Sequence, residues 1–305
     1  MEHAAALLER YPSDPQSARV QLAVVRRVTV PDGALTAYVM PAAQPSRGLP
    51  ILYIPGWGGT LEGFLGVVRA IGPEVDLYYL ETREKRSSDL TPGADFSMRR
   101  VAADVGAAAE QLGLSSGRYL LLGSSYGGAV AVQALADRTV QPALTLLYDP
   151  MPRLWMPRLI MRTVAPLLSP GALAFLRPAL KRLVLAGMRE PTQRRRAELF
   201  IDAADMAKWR AAALNLRDWD LFRIAPAIDA PVEVINGCAD RFHKPSHYPE
   251  IAKAVPGARY VRIPVAESQR EHLMGAVATA YALAAADVRD SRPGLPDGFE
   301  RFVAG

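Results

Sequence analysis

Ser125 stands at the centre of Gly123-Ser124-Ser125-Tyr126-Gly127, a G-x-S-x-G spacing suited to a nucleophilic serine. The apolar run Tyr119-Leu120-Leu121-Leu122 leads into it, and residues 129–136 after it are compatible with a helix. A strand that turns sharply into a helix strains the central residue and lifts its hydroxyl above the sheet end. Side chains two residues either side would collide where strand and helix approach, and Gly123 and Gly127 remove them. Such a serine needs a base, an acid to orient that base, and donors for the oxyanion.

In this arrangement the chain order is serine, acid, histidine. The strand-like run Pro231-Val232-Glu233-Val234-Ile235 enters the turn Asn236-Gly237-Cys238-Ala239-Asp240, which ends in a carboxylate. The run Arg259-Tyr260-Val261-Arg262-Ile263 leads through a polar loop to His272, where an Ala-rich helix begins. Ser125, Asp240 and His272 therefore each follow a candidate strand, and such ends converge above a parallel sheet. Of the other histidines, His3 lies at the N-terminus, while His243 and His247 share the Asp240 loop and read as exposed loop residues. Asp149, after the run Leu144-Thr145-Leu146-Leu147-Tyr148, is a rival for the acid. Asp240 is preferred because its loop stands one strand before His272, and Asp149-Pro150 then reads as the entry to the next segment.

The oxyanion donors are expected from backbone. The buried-strand run Ile51-Leu52-Tyr53-Ile54 precedes Pro55-Gly56-Trp57-Gly58-Gly59, whose glycines let N–H groups face a cavity without obstruction. Trp57 N–H is one candidate donor. Tyr126 N–H, at a helix N-terminus, is the other.

From about residue 20 to 290 the chain resembles the α/β-hydrolase superfamily, through Pro55-Gly56-Trp57-Gly58-Gly59, the Gly123 to Gly128 elbow, the Asn236 to Asp240 turn and His272. Pro55 stands where many members carry histidine. Arg270-Glu271 precedes His272 in place of the usual Gly-His. The charged segment Tyr78 to Ser88, including Glu81-Thr82-Arg83-Glu84-Lys85-Arg86-Ser87-Ser88, sits where members often carry an Asp-x-Arg-Gly-x-Gly-x-Ser loop. The resemblance implies a mostly parallel sheet flanked by helices and a serine hydrolase chemistry.

The elements agree. Residues 22–30 and 35–40 read as a hairpin around Pro31-Asp32-Gly33-Ala34. Strands are expected near 50–54, 75–80, 118–123, 143–148, 232–236 and 259–263, alternating with helices as in a parallel sheet covered on both faces. More than 80 residues without a convincing strand separate Tyr148 from Val232, too long for a connection. The expected organisation is a core of residues 1–149 and 231–290, a helical cap or lid of residues 150–230, and a C-terminal tail of residues 291–305, with Asp290 to Gly298 reading as loose. From Met151 to Arg196 there are ten Lys or Arg and one acid, Glu190, net +9 in a chain of net +5. The cap therefore reads as an amphipathic lid with solvated arginines, as a site for a substrate with apolar and anionic parts, or as a surface for anionic lipid.

Half of the 305 residues are apolar, enough for a large core. The N-terminal residues lack the basic start and apolar core of a secretory signal, and no run is long enough to span a membrane. The single Cys238 forms no internal disulfide, which fits the cytoplasm. No metal-ligand spacing, phosphate-binding glycine loop or nucleic-acid module is present, so no cofactor and no nucleic acid is expected. The reading is a serine hydrolase that cleaves a carboxylic ester with a medium-sized apolar acyl group. Thioester hydrolysis, acyl transfer and carbon–carbon hydrolysis use the same triad, and a non-catalytic ligand receptor is the alternative outside enzymes.

Overall fold

The computed structural model describes the chain except residues 1, 15–17, 44, 115, 155, 239–244, 287–300 and 303–305. Helices α1 (Glu2–Arg10) and α2 (Ala18–Gln21) precede a hairpin of β1 (Val24–Val30) and β2 (Gly33–Met40). Then come β3 (Ile51–Ile54), α3 (Leu65–Ala70), β4 (Leu77–Glu81), β5 (Asp89–Leu90), α4 (Met98–Gln111), β6 (Leu120–Ser124), α5 (Tyr126–Ala136) and β7 (Leu144–Tyr148). Five helices follow: α6 (Arg158–Thr163), α7 (Pro170–Leu185), α8 (Pro191–Asp202), α9 (Met206–Leu216) and α10 (Leu221–Ile224). The chain closes with β8 (Val232–Asn236), α11 (His247–Ala254), β9 (Arg259–Arg262), α12 (Arg270–Ala286) and β10 (Arg301–Phe302).

The strands form one sheet in the order β1-β2-β4-β3-β6-β7-β8-β9-β10, with β5 paired to β2. From β4 through β9 every neighbouring pair is parallel, while β1, β2 and β10 join antiparallel. Every residue of β3, β6, β7 and β8 is buried, which is why these strands read as mostly apolar runs, with Thr145 and Glu233 among the buried polar exceptions. One face packs on α4, α5 and α11 through Val101, Val105, Val130 and Ile251. The other packs on α1, α3 and α12 through Leu7, Val67, Val68, Val277 and Tyr281. The fold is that of the α/β hydrolases.

Two short strands add to the expected set. β5 pairs with the start of β2, where Gly33 (φ 142°) leaves room for the Asp89 backbone. β10 pairs with β9, and Asp290 to Gly298, the stretch expected to be loose, lie outside the described residues. The long stretch between β7 and β8 is helical, and its end is built into the main core: Leu216, Trp219, Leu221, Ala225 and Ile228 are buried with the α4–α5 face. The parallel order brings the carboxyl ends of β3, β6, β7, β8 and β9 to one edge. There lie Gly56, Ser125, Asp149, Gly237 and the loop before α12.

Candidate active site

Ser125 joins β6 to α5 at φ 51° and ψ −114°, a region that costs a non-glycine residue on the order of 1–3 kcal/mol. The surrounding backbone holds it there. Its N–H donates to the Tyr148 carbonyl at 3.1 Å, and its own carbonyl accepts from Met151 N–H at 3.0 Å and Ala129 N–H at 3.2 Å. Below it, the Tyr53 hydroxyl and Ser124 Oγ meet at 3.0 Å in the core. A Cβ on Gly123 would stand 2.9 Å from Gly128 Cα and 3.0 Å from the Gly127 carbonyl carbon. One on Gly127 would collide with the Ile54 carbonyl and lie 2.7 Å from that of Pro55. Both obstacles are backbone, so the elbow cannot relax by turning a side chain. Gly127→Ala is expected to cost about 3 kcal/mol, the upper part of the overpacking range. That should lower the melting temperature by roughly 6 °C in a calorimetric or fluorescence melt.

The glycine-rich loop after β3 lies against Ser125. A Cβ built on Gly56 would be 3.5 Å from Ser125 Cβ. Gly58 takes φ 63°, and Gly59 N–H donates back to the Gly56 carbonyl at 3.0 Å, closing a tight turn. The Tyr126 N–H opens α5 and has no partner within the helix. Burial pushes the Tyr126 phenol well above its ordinary range, and Glu84 and Asp104 add to the shift.

Helices α8 and α9 roof this loop with aromatic rings. Trp209 meets Trp57 edge-on at 5.8 Å, and Trp57 meets Tyr126 at 5.1 Å. Phe200 stacks on Phe64 at 5.3 Å, with the Arg196 guanidinium over both rings at 5.5 Å and 5.7 Å. Offset and edge-on contacts of this kind favour an apolar, aromatic enclosure beside the serine.

The structure does not bring His272 to Ser125. The first turn of α12 sends three successive residues in three directions, because each helical step rotates by about 100°. Arg270 Nε reaches the Asp149 carboxylate at 2.9 Å, and both side chains are buried. Glu271 accepts from Gln193 Nε2 of α8 at 2.8 Å and is ion-paired with Arg196. His272 is left facing α1, where its Nε2 meets the Tyr11 carbonyl at 2.7 Å. The histidine expected to serve Ser125 is thus held by the Tyr11 carbonyl in this structure, while Arg270 and Glu271 take the neighbouring directions. Asp240 and His243 lie outside the described residues, and His247 opens α11. Asp149 does not cap a following helix. At φ 46° it turns its carboxylate inward, to Arg270 and to Asn236 Nδ2 at 2.6 Å.

The charged loop after β4 also belongs to this edge. Arg83 is buried between Asp104 and Asp32, reaching Asp32 through two bonds of 2.6 Å. Burial works against the Arg83 charge, but hydrogen bonds to Asp32 and Asp104 outweigh it and raise its pKa. Lys85, ion-paired with the buried Glu84, donates to the Gly56 carbonyl of the glycine-rich loop at 2.6 Å. Lys208 of α9 clamps the same turn from above, donating to the carbonyls of Ser88 at 2.5 Å, Lys85 at 3.2 Å and Arg86 at 3.3 Å. Burial lowers the Lys208 pKa, with Asp205, Asp89 and Glu84 opposing the shift.

Several cations of the basic stretch 151–196 meet acids further along the chain, in the insertion and on α12. Arg153 pairs with Asp220 at 2.9 Å, Arg162 with Asp218 at 2.6 Å and Lys181 with Asp202 at 2.6 Å, while Arg196 pairs with Glu271. Sequence distance hid these pairs, which join partners 21 to 75 residues apart, such as Lys181 of α7 with Asp202 of α8 and Arg196 of α8 with Glu271 of α12. Leu159, Leu167, Phe175 and Leu183 are exposed on α6, α7 and the turn between them. Among the described residues no group of three His, Cys, Asp or Glu side chains could hold a metal ion, and no helix is long and apolar enough to cross a membrane.

A sheet with this strand order and a strained serine between β6 and α5 define an α/β hydrolase. The chain belongs to the alpha/beta hydrolase family, whose model matches residues 46–286. It is 32% identical over 104 residues to N-formylmaleamate deformylase from Pseudomonas putida, covering 34% of this chain and 38% of that protein, well under two thirds of the relative's length. Among solved structures it is similar to a thermophilic esterase from Thermogutta terrifontis, with TM-score 0.64 and 22% identity over 79% of this chain and 89% of the other. The enol-lactonase from Burkholderia xenovorans LB400 gives TM-score 0.62 and 20% identity over 79% and 91%. At these identities the structural likenesses establish the fold.

Proposed function

We propose that this protein is a serine hydrolase that cleaves a carboxylic ester through an acyl-enzyme on Ser125. The strained backbone of Ser125, tied from β7 and α5 at once, carries the reading. Trp57 and Tyr126 N–H groups bind the oxyanion. The Trp57, Phe64, Phe200 and Trp209 enclosure takes an apolar acyl group, with residues 150–230 as its lid. The names of similar proteins, an esterase and an enol-lactonase, support ester chemistry.

In this reading Ser125 adds to the ester carbonyl, the alcohol leaves with a proton, and water then releases the acid. The chain-order reading gives the proton-transfer role to His272 and its orientation to Asp240. That role requires His272 to exchange the Tyr11 carbonyl for the Ser125 hydroxyl. His272→Asn tests it directly. Triad members act as a unit, so a base at 272 predicts turnover falling to the level of Ser125→Ala. Turnover kept within tenfold would assign the proton to another group and leave His272 as the anchor of α1.

One observation favours a second reading, a non-catalytic ligand-binding protein. Arg270 and Asp149 form a buried ion pair at the sheet edge, and His272 is engaged elsewhere. Intact mass after treatment with a fluorophosphonate, with peptide mapping, separates the two. A single adduct on Ser125 is the expected result. A folded protein that takes no adduct and turns over no ester would make it a receptor.

A further inference from the structure

The Glu84-Lys85 dipeptide is buried deep beside a backbone loop, where an ion pair costs more desolvation than it returns in stability. Both side chains are fully enclosed, and the second Glu84 carboxylate oxygen has no hydrogen-bond partner. The Lys85 ammonium makes one further bond, and it identifies what the pair is for. Nζ donates to the Gly56 carbonyl at 2.6 Å, and it stands 5.9 Å from the centre of the Tyr126 ring. The Gly56 carbonyl belongs to the same peptide unit as the Trp57 N–H. A trans peptide is planar, and its C=O and N–H point in opposite directions. Whatever fixes the carbonyl fixes the N–H.

We propose that Lys85, held by Glu84, is a positioning residue that aims the Trp57 N–H at the oxyanion by pinning the Gly56 carbonyl on the other side of the peptide. The inference rests on the reading of Trp57 as an oxyanion donor. Three observations support it. Gly56 is the residue of this loop packed against Ser125, so a small rotation of its peptide changes the geometry at the reacting carbon. Within the turn the Gly56 carbonyl accepts from the Gly59 N–H at 3.0 Å, so Lys85 is its second donor and holds the peptide from outside the turn. The Lys85 turn is itself fixed on both sides. Ser88 Oγ donates to the Arg83 and Lys85 carbonyls at 2.7 Å and 2.9 Å, and Lys208 reaches it from α9. Trp209, the next residue of α9, fills the space over Gly58. The lid helix, the charged turn and the oxyanion loop are thus one connected unit, and the charged turn has a task that its composition did not disclose.

The test measures how fast a fluorophosphonate reacts at Ser125, separating its reversible affinity from the rate of the covalent step. The covalent step places a P–O oxygen in the oxyanion site, so it reads the aim of the Trp57 N–H. Removing a whole donor costs about 10²–10³-fold in rate in comparable sites. A donor left in place but unaimed should lose about tenfold or more of that. Lys85→Met is expected to slow the covalent step by this factor while affinity stays unchanged, and Lys85→Arg should recover part of the loss. Because Lys85→Met leaves Glu84 buried without its partner, the neutral pair Glu84→Gln/Lys85→Met is measured beside it, each variant with a thermal melt. A folded double variant that reacts at the parental rate overturns the positioning role, as does one whose loss is entirely in affinity. A parent protein that does not react at Ser125 at all overturns the hydrolase reading and this inference with it.

Discussion

Alanine at position 125 is expected to eliminate both ester turnover and the fluorophosphonate adduct, with a fall in kcat on the order of 10⁴–10⁶-fold. The melting temperature should stay close to that of the parent. The two halves of this expectation have separate physical grounds. Alanine keeps the Cβ, so it meets the same strain at φ 51° and the same ties to Tyr148, Met151 and Ala129. What disappears is a single Oγ, and with it the atom on which the proposed acyl-enzyme depends. The residual rate would come from the oxyanion donors and substrate positioning alone. A variant that turned over ester within tenfold of the parent would remove Ser125 from the chemistry. A variant that failed to fold would show that the hydroxyl has a structural bond, which the unpartnered N-terminus of α5 argues against. Ester hydrolysis followed at several acyl lengths, with mass spectrometry on the same samples, gives both readouts together.

What could be read from the residues alone was the part written in local pattern. Apolar runs such as Leu120-Leu121-Leu122 and Leu144 to Tyr148, broken only by Thr145, mark strands covered on both faces, and these are β6 and β7. The glycines either side of Ser125 are legible because close approach of strand and helix admits nothing larger. Long-range facts were not legible. Which way a side chain leaves the first turn of α12 depends on helical phase, and a shift of two residues separates Arg270 at Asp149 from His272 at Tyr11. Spacing alone could not fix that phase, although the replacement of Gly-His by Arg270-Glu271 was its visible sign. Asp149 looked like a turn residue and is instead the buried partner of Arg270 and Asn236. The cations of residues 151–196 looked uncompensated because their acids lie elsewhere in the chain, at Asp202, Asp218, Asp220 and Glu271. The charged turn at Glu84-Lys85 carried no pattern at all. Its meaning lies in the one carbonyl that Lys85 reaches.

Arg83→Met is expected to be the most destabilising change in the charged turn, at about 3–5 kcal/mol, the cost of removing one partner from a buried ion pair. Arg83 has no exposed surface, and neither has Asp104; Asp32 is partly open to solvent. The guanidinium ties β4's exit both to the turn between β1 and β2, through Asp32, and to α4, through Asp104. Methionine fills similar volume but leaves the Asp104 carboxylate with Arg100 as its remaining cation, at 2.9 Å on the same helix. Loss of the charge, not of packing, is therefore the dominant cost. Two measurements separate the terms. Adding Asp104→Asn to Arg83→Met removes the stranded carboxylate and should restore part of the stability. The acid side of the stability curve should also change. Hydrogen bonding to Arg83 holds the Asp32 carboxyl below its ordinary pKa, with burial opposing. A depressed carboxylate contributes stability that is fully present above its unfolded pKa, about 3.9, and is lost as the pH falls through the folded value. Parent protein should therefore lose stability on acidification below about pH 4, and Arg83→Met should lose less over the same window. Urea unfolding at pH 7 and at pH 3 measures both. Equal acid sensitivity in the two proteins would mean that the Arg83–Asp32 bond carries no net linkage. A loss at pH 7 under about 1 kcal/mol would mean that Arg100 alone compensates Asp104, and that the turn supporting Lys85 is held from the Lys208 side.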